Sequence, residues 1–412
     1  MTATDVVEAP ATGAATRLRA LVRAPLWFTA KLLPLVAAAE LAALTAGVPG
    51  TDGVARTVAM LCSAVSVAAG AHLVNDLADR ASDRAAGKAN VLDQAHRRTP
   101  LVLLGLCAVG AVLPWWIVPI DPWAALVLIG LVGLSIAYSV PPVRLKGRAA
   151  AGIVADAFVA HVLPVTLAFP ELGGAGQRTA TWWWAAVAAA CWAFGFGVRN
   201  IVVHEVLDAD GDRAAGIRTY VVARGVPRAV RTGRDAFALE LLGLLALLAV
   251  TAVTAWGVAL FFALHWLLWL HHRRFERPPI DTVPTTADAW LPVAEFYEVW
   301  PALAFGVALG LRDPVWWWLV GAVVVVFWPA VRKQAVDELG LVVELLRDVA
   351  ERYVRDVLWA GVRAAWWATY RGYWRLRHAV VDPAIAWERR QRGRLRRHLG
   401  RPPSTGGPPP TA

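Results

Sequence analysis

Residues 75–83 read NDLADRASD, which sets Asp76, Asp79 and Asp83 at i, i+3 and i+7, one face of a helix, with Asn75 beside it. A second acidic stretch, HEVLDADGD at 204–212, sets Asp208 and Asp212 at i, i+4, with Glu205 on the same side and Asp210 pointing away. Carboxylates gathered in this way repel one another unless a cation answers them. Mg²⁺ is the natural cation here, a hard ion that takes a few carboxylates and waters and leaves its other positions to substrate phosphates. Two such clusters with Lys and Arg nearby therefore point to a diphosphate held through metal ions. A plainer account makes them helix-end acids, solvated or paired with Arg80, Arg84 and Arg213. Either cluster alone fits that account, whereas two at equivalent ends of two apolar segments favour metal.

Those segments belong to a chain that is 58% hydrophobic and 17% charged over 412 residues, too apolar for an ordinary soluble enzyme. The expected fold class is all-α, a polytopic membrane helix bundle. Apolar runs long enough to span lie near 26–48, 54–74, 100–119, 121–140, 150–169 and 181–203. A run from Leu239 to His271 is too long for one span and is split near Trp256-Gly257; two more follow near 290–311 and 314–332. The count is ten, or nine if one short piece is interfacial. Loops rich in Arg, Lys and Asp alternate with short uncharged ones, which puts the charged loops, and both acid clusters, in the cytoplasm of a cell whose inner membrane holds the protein. The first residues are polar and basic rather than a short apolar run with a cleavage site, so the first span is expected to direct insertion. Cys62, Cys107 and Cys191 lie in apolar segments without disulfide or metal spacing.

Four regions follow from this pattern: a flexible N-terminus (1–25), the spanning core (26–332), basic amphipathic cytoplasmic helices (333–400) and a disordered tail (401–412). From Val331 onward there are 16 Lys/Arg against 8 Asp/Glu, a net of +8. After membrane spans such a charge faces anionic lipid; nucleic acid is the weaker partner.

The motifs together resemble the UbiA superfamily of intramembrane prenyltransferases. NDLADRASD matches its NDxxDxxxD motif, and DADGDRAAGIRTYVVARG is similar to its second aspartate motif. YSVPPVRLKG, at residues 138–147, resembles its Tyr-Ser-x-Pro-Pro-x-Arg-x-Lys segment. Three motifs in register over roughly residues 26–332 are far more specific than any one. The resemblance implies a helical bundle around a cytoplasm-facing cavity, Mg²⁺ as cofactor, and an isoprenyl diphosphate whose ionisation yields an allylic cation. It implies metal binding by Asp76, Asp79, Asp83, Asp208 and Asp212 and substrate binding by Asn75. It implies that Arg144 and Lys146 neutralise the departing diphosphate, with Tyr138 of the same segment beside them. Arg199 and Asn200, two turns before the second motif, join the substrate-binding set. Members acting on quinone precursors carry Lys-x-x-Arg-Pro after the first motif; here the chain runs GKANVLDQAHRRTP, and Lys88 with Arg97 or Arg98 stands in.

Asp156, alone in the fifth span, is a candidate base on the acceptor side, the alternative being a partner for Arg148. Trp192, inside the sixth span, offers a ring face to a carbocation. Two outcomes stay open: transfer of the prenyl group to a lipophilic or aromatic acceptor, or cyclisation of the diphosphate on itself as UbiA-type terpene cyclases do.

Overall fold

The computed structural model describes residues 14–85, 87, 90–174, 177–275, 283, 294–383 and 386. All regular structure among them is helical. After a short helix, Ala14–Leu21, come α1 (Ala24–Ala46), α2 (Gly50–Ala85), α3 (Thr99–Val112) and α4 (Pro122–Ser139). Next, α5 (Ala150–Ala157) runs through a π-helical turn, Phe158–Val162, into α6 (Leu163–Leu172). Then follow α7 (Ala180–Ala214), α8 (Val226–Thr254), α9 (Trp256–Phe275), α10 (Ala294–Arg312), α11 (Trp316–Val326), α12 (Trp328–Tyr353) and α13 (Trp359–Leu376).

Among the described residues each of the ten expected spans is mostly helical, and the split in the seventh run falls at Ala255, where the backbone leaves helical angles (φ −152°, ψ 69°). Seven helices among the described residues are long and apolar enough to cross a membrane. The other three fall short for visible reasons, α10 because its first two turns carry Glu295 and Glu298. The apolar stretch of α9 ends at Leu270, just before His271-His272-Arg273-Arg274, and α11 stops where the helix breaks at Phe327.

The described residues form two compact units, one ending at Leu339 and one beginning at Gly340. In the first, α1 is the central helix: Leu33, Leu35, Val36, Ala39, Ala42 and Ala43 are buried around its whole circumference. It packs on α2, α6, α7 and α10. At the periphery α3 leaves Leu101, Val102, Leu106 and Val109 bare, the surface an outer helix shows to lipid. The tightest crossing joins α7 and α8, where a Cβ on Gly195 or Gly243 would strike the backbone of Glu240 or Trp192. Glycine at both positions allows that approach, as at close helix contacts in membranes. In the second unit most of the described large apolar side chains of the end of α12 and of α13 are exposed.

Candidate active site

Helices α2 and α7 are the two longest, at 36 and 35 residues. Each extends to roughly 50 Å, well beyond a hydrocarbon core of about 30 Å, so the acid-bearing last turns stand clear of it. Between these ends opens a cavity of about 480 Å³. On α2 the stripe facing it passes through Ala68, His72, Asn75, Asp79 and Asp83. On α7 it passes through Ile201, His204, Glu205, Asp208 and Asp212. The two acidic clusters thus share one chamber.

The side chains at its mouth are held by specific partners. Lys146 donates to Asn75 Oδ1 (2.8 Å) and to Asp79, whose Oδ1 also accepts from Arg144 Nη2 (2.9 Å). Ser139 Oγ donates to the same Asn75 oxygen at 3.1 Å. Burial pushes the Lys146 ammonium below its usual range, against the opposing pull of Asp79. The loop carrying it closes on itself, with Arg144 N donating to Val140 O (2.9 Å), and Ala149 N donates to Arg218 O (3.2 Å) beyond the second acidic cluster. Arg144 adopts a left-handed φ of 36°, uncommon for a non-glycine residue and typical of functional loops. Asp83 Oδ2 accepts from Asn90 Nδ2 at 2.8 Å. Glu205 Oε2 accepts from Val221 N at 3.0 Å, which fastens the following segment to α7.

Deeper in the cavity lies a second polar layer. Lys31 of α1, His72 of α2, Tyr138 of α4, Asp156 of α5 and His204 of α7 line it. Lys31 Nζ is 2.6 Å from Nε2 of His161, which is buried in the π-helical turn. Lys31 also lies within electrostatic range of Asp156, His72 and His204. Of this layer the sequence pointed only to Tyr138 and Asp156. Lys31 carried the same signal as Asp156, a lone ionisable residue in an apolar span.

Several other expected residues stand apart. Asp76 is fully buried beside the cavity rather than on it, paired with Arg23 (Nη2 to Oδ1, 2.7 Å). One residue along α2 rotates it about 100° from Asn75, off the lining stripe. Arg144 reaches Asp79 from outside the lining. Arg199 is fully buried in a bidentate pair with Glu240 (both contacts 2.7 Å), and Tyr297 donates to the same carboxylate at 2.6 Å. It therefore points away from the acids, and its neighbour Asn200 is also off the cavity wall. Trp192 lines a separate apolar cavity of about 70 Å³ with Tyr297, Phe262 and Phe305, and stacks on Phe196. Asp156 faces the cavity while Arg148 donates instead to Pro142 O at 2.9 Å. Lys88 lies outside the described residues; Arg97 and Arg98 are exposed.

Asn75, Asp79, Asp83, Asp208 and Asp212 are all oxygen donors on one chamber, the donor set a hard divalent cation takes. Among the described residues no three acids or imidazoles converge into a closed cage. An open set of this kind suits Mg²⁺, which shares its coordination between a few carboxylates and substrate oxygens.

Known proteins share this fold. None of the curated proteins matches the sequence. Three solved structures of a UbiA homolog from Archaeoglobus fulgidus match the fold, each with a TM-score of 0.51 over 74% of this chain and 99% of the other. One is described as bound to DMAPP and Mg²⁺ and a second as bound to GPP and Mg²⁺, both at 16% identity; the third is 17% identical. The sequence profile described as the UbiA prenyltransferase family matches residues 32–291, which takes in both acidic clusters, the loop that carries Lys146, the greater part of α1, and α2 to α9. With a match across well over half its length, this integral membrane protein belongs to the UbiA prenyltransferase family.

Proposed function

We propose that the chain ionises an isoprenyl diphosphate and transfers the prenyl group to a second molecule within the membrane. The observation that carries this reading is the two-layered cavity, with both acid clusters and Lys146 at its mouth and the layer centred on Lys31 beneath. Asp79, Asp83, Asp208 and Asp212, with Asn75, would hold Mg²⁺, which supplies positive charge to the diphosphate; the relatives solved with DMAPP, GPP and Mg²⁺ support that assignment. Lys146 and Arg144 exchange part of their contact with Asp79 for diphosphate oxygens and stabilise the charge that grows there as the carbon–oxygen bond breaks. The bonding electrons leave with the diphosphate and the hydrocarbon becomes an allylic cation. A nucleophilic atom of the acceptor bonds to that carbon, and the proton it sheds passes to the Asp156 carboxylate, beside which Tyr138 stands as a hydrogen-bond donor.

The polar layer favours transfer over cyclisation. A cyclising chain folds its own apolar double bonds around the cation and offers no hydrogen-bonding group to Lys31, His204 and Asp156 in the wall. A second molecule with a hydroxyl or acidic group finds partners in Lys31, His204 and Asp156. The basic loops flank the same end of the helices as the cavity mouth, which supports access from the cytoplasmic side of the bacterial inner membrane.

The test is product analysis. Membranes bearing the protein are given Mg²⁺ and geranyl, farnesyl or geranylgeranyl diphosphate, first alone and then with a panel of hydroxylated aromatic acids or a membrane lipid extract. Little terpene should form in the first incubation, and a product containing both parts should appear in the second. Abundant cyclic hydrocarbon without acceptor would establish a cyclase instead.

A further inference from the structure

The second compact unit carries a surface that neither the catalytic reading nor the family match uses. On α13, Trp359, Val362, Trp366, Tyr370 and Tyr373 recur at i, i+3, i+7, i+11 and i+14, a single stripe whose members are 43% to 66% exposed. Arg363, one turn beyond Trp359, flanks this stripe, and Arg377, one turn beyond Tyr373, continues it, whereas Arg371 and Arg375 lie on the far face. Charge is segregated here. The stretch 340–358 alternates signs and pairs them along the helix, as in Arg347–Glu351 (2.8 Å) and Arg352–Asp348 (3.6 Å). From Trp359 to Val381 there are Arg363, Arg371, Arg375 and Arg377 and no acid. Arg377 lies over the Trp374 ring at 4.7 Å and also meets Asp382 at 3.6 Å.

We propose that α13 docks on an anionic bilayer surface, its aromatic stripe at headgroup depth, with Arg363 and, just past the helix end, Arg377 on lipid phosphates. Tryptophan, tyrosine and arginine on one helix, with apolar and basic groups on adjoining faces, make the pattern that settles at the interface. Three arginines within α13 exclude it as a span. Tethering to a membrane-embedded core holds the helix at high effective concentration near lipid, so modest intrinsic affinity suffices. Pairing of this stripe with that of a second copy is disfavoured, because Arg363 and Arg377 would enter the contact with no acid between Trp359 and Val381 to answer them.

The test uses the full-length chain with Cys62, Cys107 and Cys191 replaced by alanine, reconstituted in nanodiscs of phosphatidylcholine with or without a third of phosphatidylglycerol. An environment-sensitive fluorophore is attached at Tyr370→Cys on the stripe or at Ala368→Cys on the opposite face. The Tyr370→Cys label should shift to the blue in anionic discs only, lose the shift in high salt, and lose it when Arg363 and Arg377 are both changed to Glu. The Ala368→Cys label should stay at its aqueous wavelength in both. Hydrogen exchange of residues 359–376 in the unlabelled wild-type chain should slow in the anionic discs alone. Identical emission and exchange in the two lipids overturn the proposal. So does a blue shift of equal size in neutral discs and in detergent, which would assign the stripe to protein contact.

Discussion

Asp79 accepts from Lys146 and Arg144, which come from a loop 65 or more positions along the chain. This convergence makes charge compensation at the cavity mouth the property to test. Lys146→Met should lower kcat about 10²–10³-fold, the usual cost of removing one electrostatic donor from a developing anion. Thermal stability should hold, because the change also removes a buried charge. Asp208→Asn or Asp212→Asn should abolish turnover and Mg²⁺-dependent diphosphate binding at unchanged melting temperature; retained binding would refute their role as metal ligands. Lys31→Met should separate the two layers: diphosphate binding stays intact and transfer to acceptor is lost. At this scale the sequence was informative about residue type and spacing and less so about aim. Asp76, Asp79 and Asp83 share one stripe, Asn75, Asp79 and Asp83 another about 100° away at its start, and only the arrival of Arg23 against Asp76 decides which one faces the chamber. The Lys31 layer was hidden for a related reason, since its members come singly from α1, α2, α4, α5 and α7 and no local spacing joins them.

Helices, by contrast, were legible almost throughout, because a run of about 20 apolar residues in a membrane has one backbone solution. What escaped was how pairs of them are fastened. Arg199 read as a substrate ligand from its place before the second motif, yet it joins α7 to α8 through Glu240 and to α10 through Tyr297, all buried. A lone Arg in a span and a lone Glu 41 residues later carry no joint signature in one dimension. Breaking the pair leaves an uncompensated buried charge, so Arg199→Met should cost about 3–5 kcal/mol in unfolding measured in detergent. Changing Glu240 to Leu as well should recover most of that loss, a rescue that a substrate-binding role for Arg199 does not predict. A second fastening is pH-sensitive. Hydrogen bonds from Arg80 (2.9 Å) and Arg84 (2.8 Å) hold the Asp93 carboxyl below its usual range and tie the loop after α2 back onto that helix. A carboxyl lowered on folding contributes stability above its unfolded pKa and loses it as pH falls through the folded value. Protection of the amides at 90–95, measured against their intrinsic exchange at each pH, should therefore be high at neutral pH and fall only on acidification below the ordinary carboxylate range, with Asp93→Asn weakly protected throughout.

Over the whole chain, the catalytic chamber and the docking helix lie in different compact units, so they should come apart on truncation. Where to cut depends on α12. Its first turns belong to the core unit, and Glu338 Oε1 there meets His265 Nδ1 of α9 (3.2 Å), Trp300 Nε1 of α10 (3.3 Å) and Gln334 Nε2 (3.3 Å). Charge pattern alone put the boundary at Lys333, because the amphipathic sequence starts there. A stop after Leu339 keeps Glu338 and every residue of the chamber. It should leave turnover on added diphosphate and acceptor within about two-fold of the full chain, with an unchanged melting temperature. A stop after Lys333 removes Gln334 and Glu338, and with them the acceptor for Trp300 Nε1 and the carboxylate beside the buried His265, at a cost of about 1–3 kcal/mol. That shorter chain should melt earlier yet turn over normally, per folded molecule, well below its melting point. The comparison separates a structural from a catalytic contribution of the C-terminal region. If the chain ending at Leu339 folds with the full chain's melting temperature but cannot release diphosphate, then residues beyond 339 complete the active site, and the assignment of chemistry to the core unit alone is wrong.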